Sequence, residues 1–157
     1  MIVRPASAAD AEVIAELCNV GGTRIDVAAE LARRWGKLWV ASETGERPAQ
    51  AFLLAWDAAD EVHLVDVVTH PAARRRGLGR ALLQNLIAHA AARRAVLIAL
   101  EVRRSNQAAI ALYRSAGFRA AGLRRAYYAD GEDAVDMLLD LDPASGAVLR
   151  RDDDIEP

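Results

Sequence analysis

The chain has 157 residues, a formal net charge of −2, 53% hydrophobic residues and 27% charged ones. That length makes about one domain able to bury roughly 68–70% of its unfolded surface, and the composition lies outside the disordered regime. The near-neutral charge offers no global field for nucleic acid or an anionic membrane, and the single cysteine, Cys18, rules out a disulfide framework or a multi-cysteine metal site. No run approaches membrane-spanning length and "MIVRPASAADAEV" has no signal-peptide core, so a cytoplasmic protein is expected.

Residues 2–4 read as a short strand stopped by Pro5. "SAADAEVIAELC" then offers a capping box, Ser7 with Asp10, and Val13, Ile14 and Leu17 follow at helical spacing. Gly21 and Gly22 break that helix, and "DVAAELARRW" predicts a second, capped by Asp26. A three-stranded meander follows in "KLWVASE", "AQAFLLAWD" and "EVHLVDVVTH", with turns at "TGERP" and "AAD". Pro71 ends it. "GRALLQNLIAHAAARR" is an amphipathic helix with Leu82, Leu83, Leu86, Ile87 and Ala90 on its apolar face. "AVLIALEV", short and almost wholly apolar, predicts a strand buried on both faces. "SNQAAIALYRSAG" predicts a helix capped by Ser105 or Asn106 and ended by Gly117. The last two strands form a hairpin around Asp130 and Gly131.

The result is a single mixed α/β (α+β) domain over residues 1–142, about seven strands in one sheet with about four helices. Residues 143–157, "DPASGAVLRRDDDIEP" with Asp142, carry few apolar side chains and many charges and are expected to form a mobile acidic tail.

The stretch "VVTHPAARRRGLGRALLQ" turns from strand to helix through three arginines and a Gly-x-Gly. A helix N-terminus presents unpaired N–H groups and about half a positive charge, so it suits an anion. Gly77 and Gly79 allow close approach to the main chain, and Arg74, Arg75, Arg76 and Arg80 add charge-assisted donors for phosphate oxygens. A dinucleotide fingerprint would need glycine where Leu82 stands, and no P-loop Gly-Lys-Ser/Thr is present.

Arg74-x-x-Gly77-x-Gly79, after a strand and opening a helix, resembles the acyl-CoA signature of the GNAT superfamily of N-acetyltransferases. The predicted element order is similar to that fold throughout, the tail excepted. "LEVRRSNQAAIALYRSAGF" and "RRAYY…GEDAVDM" resemble the bacterial ribosomal-protein-alanine N-acetyltransferases, which acetylate a protein's N-terminal amine. The resemblance is strong over residues 67–141 and weak before them. It implies that the backbone of Val67, Val68 and Thr69 holds the pantetheine arm of acetyl-CoA, and that the turn from Arg74 through Leu78 to Arg80 cradles the diphosphate. It further implies that Asn106 contacts CoA, that Glu101 is the general base and that Tyr113 is the general acid.

Acetyl transfer from a thioester to an amine needs a neutral amine, a polarised carbonyl and a proton for the departing thiolate. Glu101 is the only charged residue in its strand, although a strand-end carboxylate paired with Arg103 or Arg104 is the duller account. An ordinary glutamate near pKa 4.3 is a poor base, so partial desolvation or an intervening water is expected at Glu101. Asp66, isolated between Val65 and Val67, is the runner-up base, with a solvent-facing strand position as its alternative. A tyrosine's pKa near 10 suits donation to a thiolate, although a core or rim aromatic is the commoner role. Deprotonating an α-amine at pH 7 costs about 1.4 kcal/mol against about 4.6 kcal/mol for lysine, which favours a protein N-terminus as acceptor.

Tyr127 and Tyr128, with Glu132 and Asp133 across the turn, could line a slot for an extended peptide, the acids holding its ammonium end; cross-strand pairing is the structural alternative. His63, His70 and His89 share no ligand spacing, so no metal is expected. The first two helices lack the aromatic–proline pattern associated with the ribosomal-protein enzymes, which keeps a small-molecule amine (amino acid, polyamine or aminoglycoside) open as acceptor. A non-catalytic acyl-CoA sensor is the distant alternative. The expected partners are acetyl-CoA and a protein N-terminus or small amine, with no nucleic acid and no membrane, in a monomer or homodimer.

Overall fold

Residues 1–45 and 48–157 are described in the structure, a computed structural model. In chain order the elements are β1 (Ile2–Pro5), a 3-10 turn (Ala8–Asp10), α1 (Ala11–Gly21), α2 (Val27–Ala32), β2 (Gly36–Ser42), β3 (Ala51–Ala58) and β4 (Glu61–Thr69). A second 3-10 turn (Pro71–Ala73), α3 (Leu78–Ala92), β5 (Leu97–Arg103), α4 (Gln107–Ala116), β6 (Arg119–Arg124), β7 (Ala134–Leu141) and β8 (Val148–Leu149) follow. The fold is mixed α/β, with one open sheet in the order β1-β2-β3-β4-β5-β7-β6 and β8 on β7. The turn expected in "TGERP" includes residues 46–47, which lie outside the described residues.

Two compact units make up the chain, Met1–Ala58 with Leu64–Leu86, and Ala59–His63 with Ile87–Pro157. Strand β4 and helix α3 each run from one into the other.

In the first unit β1, β2 and β3 are antiparallel neighbours. Ile14, Leu17 and Cys18 of α1, Val27 of α2, Leu38 and Val40 of β2, Phe52 and Leu54 of β3 and Val68 of β4 form one buried cluster. Each large member contributes about 1.5–3 kcal/mol by leaving water. A Cβ on Gly21 would lie 2.8 Å and 2.9 Å from the two Val68 methyls, so only glycine lets α1 end this close to β4. The expected capping box is present: the Asp10 carboxylate accepts the Ser7 N–H at 2.8 Å and is clamped by both terminal nitrogens of Arg4, also at 2.8 Å. Those contacts hold the Asp10 carboxyl below its usual range, against the opposing effect of burial.

Helix α2 is shorter than expected. Asp26 caps it by accepting the Ala29 N–H, but it stops at Ala32 instead of running to Trp35. Arg33 turns extended, and Gly36 passes so near the Glu30 carbonyl that a Cβ there would sit 2.7 Å from it. Glu30 is buried yet satisfied, accepting from Arg33 at 2.6 Å and from the Trp56 indole at 2.9 Å.

In the second unit β4 and β5 pair in parallel over Glu61↔Leu97, Val62↔Ile98 and His63↔Ala99, while β7 runs antiparallel to both β5 and β6. Strand β5 corrects one expectation. Its burial alternates, with Ile98, Leu100 and Val102 buried and Leu97, Ala99, Glu101 and Arg103 only partly so. One face is core and the other is half open, which is what allows charged side chains at Glu101 and Arg103. The closing hairpin also differs from a tight two-residue turn, since residues 125–133 separate Arg124 from its partner Ala134. In α3, Leu82, Leu83, Leu86 and Ala90 are buried as expected, and Ile87 is partly so.

Residues 143–157, expected to be mobile, dock on the second unit. Strand β8 pairs with β7 at Asp140↔Leu149 and Leu141↔Val148. Beyond it, Asp153 accepts the Ala120 N–H at 2.7 Å and pairs with Arg114, and the Asp154 N–H donates to the Ala120 carbonyl at 2.8 Å. Arg119 bridges Asp140 at 2.9 Å and Asp154 at 2.6 Å. The Arg119 and Asp140 side chains are 12% and 13% exposed, whereas that of Asp154 is 61% exposed. Arg119→Ala is therefore expected to cost about 3 kcal/mol by stranding a desolvated carboxylate, and Asp154→Ala less than about 1 kcal/mol. Urea denaturation of the two variants measures the difference; equal losses would mean that Asp140 does not depend on Arg119.

Candidate functional site

The strand-to-helix turn belongs to the first unit. His70 caps the short 3-10 turn that Pro71 starts, its Nδ1 accepting the Ala72 N–H at 3.1 Å. Arg74 folds back so that its Nε donates to the Thr69 carbonyl at 3.3 Å. Arg75 at φ 62° and Gly77 at φ 87° then swing the chain into α3. The left-handed region is open to glycine but costs an arginine about 1–3 kcal/mol, and such strain concentrates at ligand clamps. The Gly77 carbonyl accepts the Ala81 N–H at 2.9 Å, making Leu78, Gly79 and Arg80 the first residues of a 15-residue helix. N–H groups at that position have no partner four residues back. Leu78 is buried and anchors the turn, while Arg74, Arg75, Arg76, Gly77 and Arg80 are exposed. The donor set fits a diphosphate: a helix start, a glycine with no side chain and guanidinium groups in water. Arg76 is already paired with Glu43 at 2.6 Å, so Arg75 and Arg80 are the better placed to meet an anion.

Upstream, Val68 is buried in the core while Val67 and Thr69 are partly exposed. Among the described residues the β4–β5 ladder ends at His63, so residues 67–69 lie beyond it. Asp66 is not a solvent-facing strand residue. Burial raises its carboxyl pKa, with the Thr23 hydroxyl and the Val67 N–H opposing that rise. The buried Cys18 thiol is likewise pushed up, chiefly by burial and also by Asp66.

In the second unit four side chains form a row across neighbouring strands. His63 on β4 lies opposite Ala99, and its Nε2 meets Glu101 Oε2 at 2.7 Å. Glu101 faces Asp136 across the β5–β7 ladder, and Asp136 faces Gly122 on β6. Arg124 holds both Asp136 oxygens through Nε, at 2.9 Å and 3.1 Å, and approaches Glu101 Oε1 at 3.8 Å. Arg103 and Arg104, the arginines expected beside Glu101, pair elsewhere, with Asp130 and Glu132 and with Asp133. The neighbours that the sequence did not reveal are His63 and Arg124.

Asn106 is the cap of α4, its Oδ1 accepting the Ala109 N–H at 3.2 Å, so that its carbonyl oxygen is engaged within the helix start. Tyr113 lies on α4, 6% exposed, with its ring centroid 5.8 Å from that of Phe118. In the 125–133 connection, Tyr127 and Tyr128 meet edge to face at 5.1 Å. Arg124 sits over Tyr127, and Arg103 over Tyr128 at 4.1 Å. Glu132 is committed to Arg103 and the Ser105 N–H, and Asp133 accepts the Ala126 N–H at 2.9 Å. Burial is the main influence raising the Tyr128 pKa.

The family model described as Acetyltransferase (GNAT) family matches residues 16–118. The chain is 42% identical over 118 residues to the ribosomal protein bS18 alanine N-acetyltransferase of Escherichia coli (strain K12), over 67% of this chain and 80% of that protein. The crystal structure of the ribosomal-protein-S18-alanine N-acetyltransferase from Escherichia coli superposes with a TM-score of 0.78 at 32% identity, covering 88% of this chain and 92% of that one. Naa20 of Chaetomium thermophilum, solved in complex with a bisubstrate analogue, matches with a TM-score of 0.75 at 25% identity, covering 88% and 85%.

Proposed function

This chain belongs to the acetyltransferase (GNAT) family, and from that premise we propose that it moves the acetyl group of acetyl-CoA onto the N-terminal α-amine of a protein by direct attack in a ternary complex. The observation that carries the acceptor is the 42% identity over 118 residues to a ribosomal-protein-alanine N-acetyltransferase. In this reading the first unit supplies the coenzyme turn. Residues 67–69 offer main-chain groups to the pantetheine arm, and the N-terminus of α3 with Arg75 and Arg80 receives the diphosphate. The second unit handles protons: Glu101 accepts one from the attacking amine, directly or through a water, and Tyr113 returns one to the thiolate. Asp66 is the second carboxylate able to serve as base, its raised pKa bringing it nearer the working pH.

The duller account of Tyr127 and Tyr128 gains support from the acids of their connection being already engaged, Glu132 by Arg103 and the Ser105 N–H and Asp133 by the Ala126 N–H. The two aromatic faces still offer a surface for the first residues of a peptide. The location consistent with a ribosomal-protein acceptor is the cytoplasm. Among the described residues no helix is long and apolar enough to cross a membrane.

Thiol release from acetyl-CoA, followed against short peptides of varied first residue and a panel of small amines, tests the acceptor. An alanine-initiated peptide is expected to react best. Turnover confined to free amines would reassign the acceptor, and acetyl-CoA binding without thiol release in the presence of any amine would leave only a sensor.

A further inference from the structure

The strand-to-helix turn of the first unit is tied at both ends to the connection between β2 and β3. Gln50, just before β3, accepts the His70 N–H on its main-chain carbonyl at 2.8 Å, and its own N–H donates to the Ala41 carbonyl at 2.8 Å. Its side chain grips Glu43, just after β2: Gln50 Oε1 accepts the Glu43 N–H at 2.9 Å, and Gln50 Nε2 donates to Glu43 Oε1 at 3.2 Å. The same carboxylate oxygen accepts from Arg76 Nη1 at 2.6 Å. One bracket therefore runs from His70 through Gln50 and Glu43 to Arg76, all within the first unit. Between its ends lies Arg75 at φ 62°, a conformation that persists only where the surroundings over-determine it. Beside α1, close packing does not supply that constraint. The turn there borders a cavity of about 310 Å³, lined among others by Val13, Leu17, Gln50, His70, Ala72 and Ala73. The Arg76 and Glu43 side chains are 51% and 30% exposed, and so open an ion pair contributes little to folding. Its effect is on the shape of the turn.

We propose that Glu43 is a positioning residue for acetyl-CoA: through Arg76 it holds residues 74–77 in the shape that receives the diphosphate, and Arg76 anchors the turn instead of gripping a phosphate. This rests on the reading of the turn as the diphosphate site. The rival role for a carboxylate beside a phosphate site is that of a competing anion, which keeps Arg76 from the coenzyme. Two observations favour anchoring. Glu43 is itself fixed by Gln50 through both its main chain and its carboxylate, which a competing anion does not require. The left-handed residue also stands directly beside the anchored one. A site held in its bound geometry before the ligand arrives loses less on ordering, so anchoring is read out as affinity. The sequence does not reveal the pair, because its members stand 33 residues apart.

The test is the dissociation constant of acetyl-CoA by calorimetry, with steady-state kinetics alongside, for the wild-type chain, Glu43→Ala, Glu43→Gln, Arg76→Ala and the Glu43→Ala/Arg76→Ala double variant. Glu43→Ala is expected to weaken acetyl-CoA about 5- to 10-fold, seen as a higher KM for the coenzyme at a kcat within about twofold of wild type. Glu43→Gln keeps an oxygen for Arg76 and is expected to stay within about threefold of wild type. Arg76→Ala is expected to match Glu43→Ala, and the double variant to bind no more weakly than either, because all three cut the same tie. Thermal melts close to that of the wild type show that each variant is folded. Equal or tighter binding by Glu43→Ala makes Glu43 a bystander or a competing anion. Losses that add in the double variant make Arg76 a phosphate ligand in its own right. Either result overturns the inference while leaving the coenzyme turn standing. Failure of the wild-type chain to bind acetyl-CoA removes the functional reading first, and this inference with it.

Discussion

Glu101→Gln is expected to lower kcat by about 10²-fold or more while the dissociation constant of acetyl-CoA stays within about twofold. Glutamine has the shape of glutamate, and its carbonyl oxygen can still accept the His63 N–H, so the β4–β5 contact at 2.7 Å has a substitute. What disappears is the only carboxylate on β5, the group proposed to take the amine's proton. Nothing changes at the turn of the first unit. Stopped-time thiol release gives the rate and calorimetry gives the affinity. An unchanged kcat would transfer the role to Asp66, whose own Asp66→Asn variant then becomes the decisive one.

Gly77→Val is expected to do the reverse, weakening acetyl-CoA about 10- to 100-fold with little effect on kcat at saturation. A β-branched residue at φ 87° is strained by about 1–3 kcal/mol, and the chain relieves that strain by rotating the N–H groups at the start of α3 away from their present direction. A valine Cβ would also arrive 3.4 Å from the Met1 methyl, a tight but yielding contact. Leu78, Leu82, Leu83 and Leu86 stay buried behind the turn, so the helix itself holds. Calorimetric titration with acetyl-CoA measures the loss, and a circular-dichroism melt separates it from unfolding. Affinity equal to wild type would place the diphosphate elsewhere.

The two substitutions touch features that are legible in the sequence to very different degrees. The turn is readable because its features are local: proline, arginines and glycines lie within a few residues, at spacings that constrain backbone and charge together. The meander and α3 are readable for the same reason, through period-2 and 3.6-residue patterns. Glu101 is visible as an isolated charge, but its neighbours are not. Arg103 and Arg104 are adjacent in sequence and look like the natural partners, yet side chains alternate along a strand and cross-strand pairs answer to register. His63 and Arg124 reach Glu101 that way.

Three further differences have equally physical causes. Alternating burial in β5 is masked because the partly exposed positions Leu97 and Ala99 are themselves apolar. The early end of α2 goes with Arg33 turning extended and Gly36 folding back past the Glu30 carbonyl, a tight turn that the helix-forming tendency of "LARRW" hides. The acidic segment near the C-terminus resembles a solvated tail by composition alone, and only the fold brings Arg114 and Arg119 to Asp153 and Asp154.

That last arrangement bears on how the gene can be shortened or extended. A product truncated after Asp142 would strip β8 from the end of β7 and leave the Asp142 N–H and carbonyl without Ala147 and Gly146, an invitation to strand-to-strand association between molecules. Affinity handles are accordingly better joined ahead of Met1 at a long spacer, clear of Gly77, or appended after Pro157, than spliced in place of the final fifteen residues.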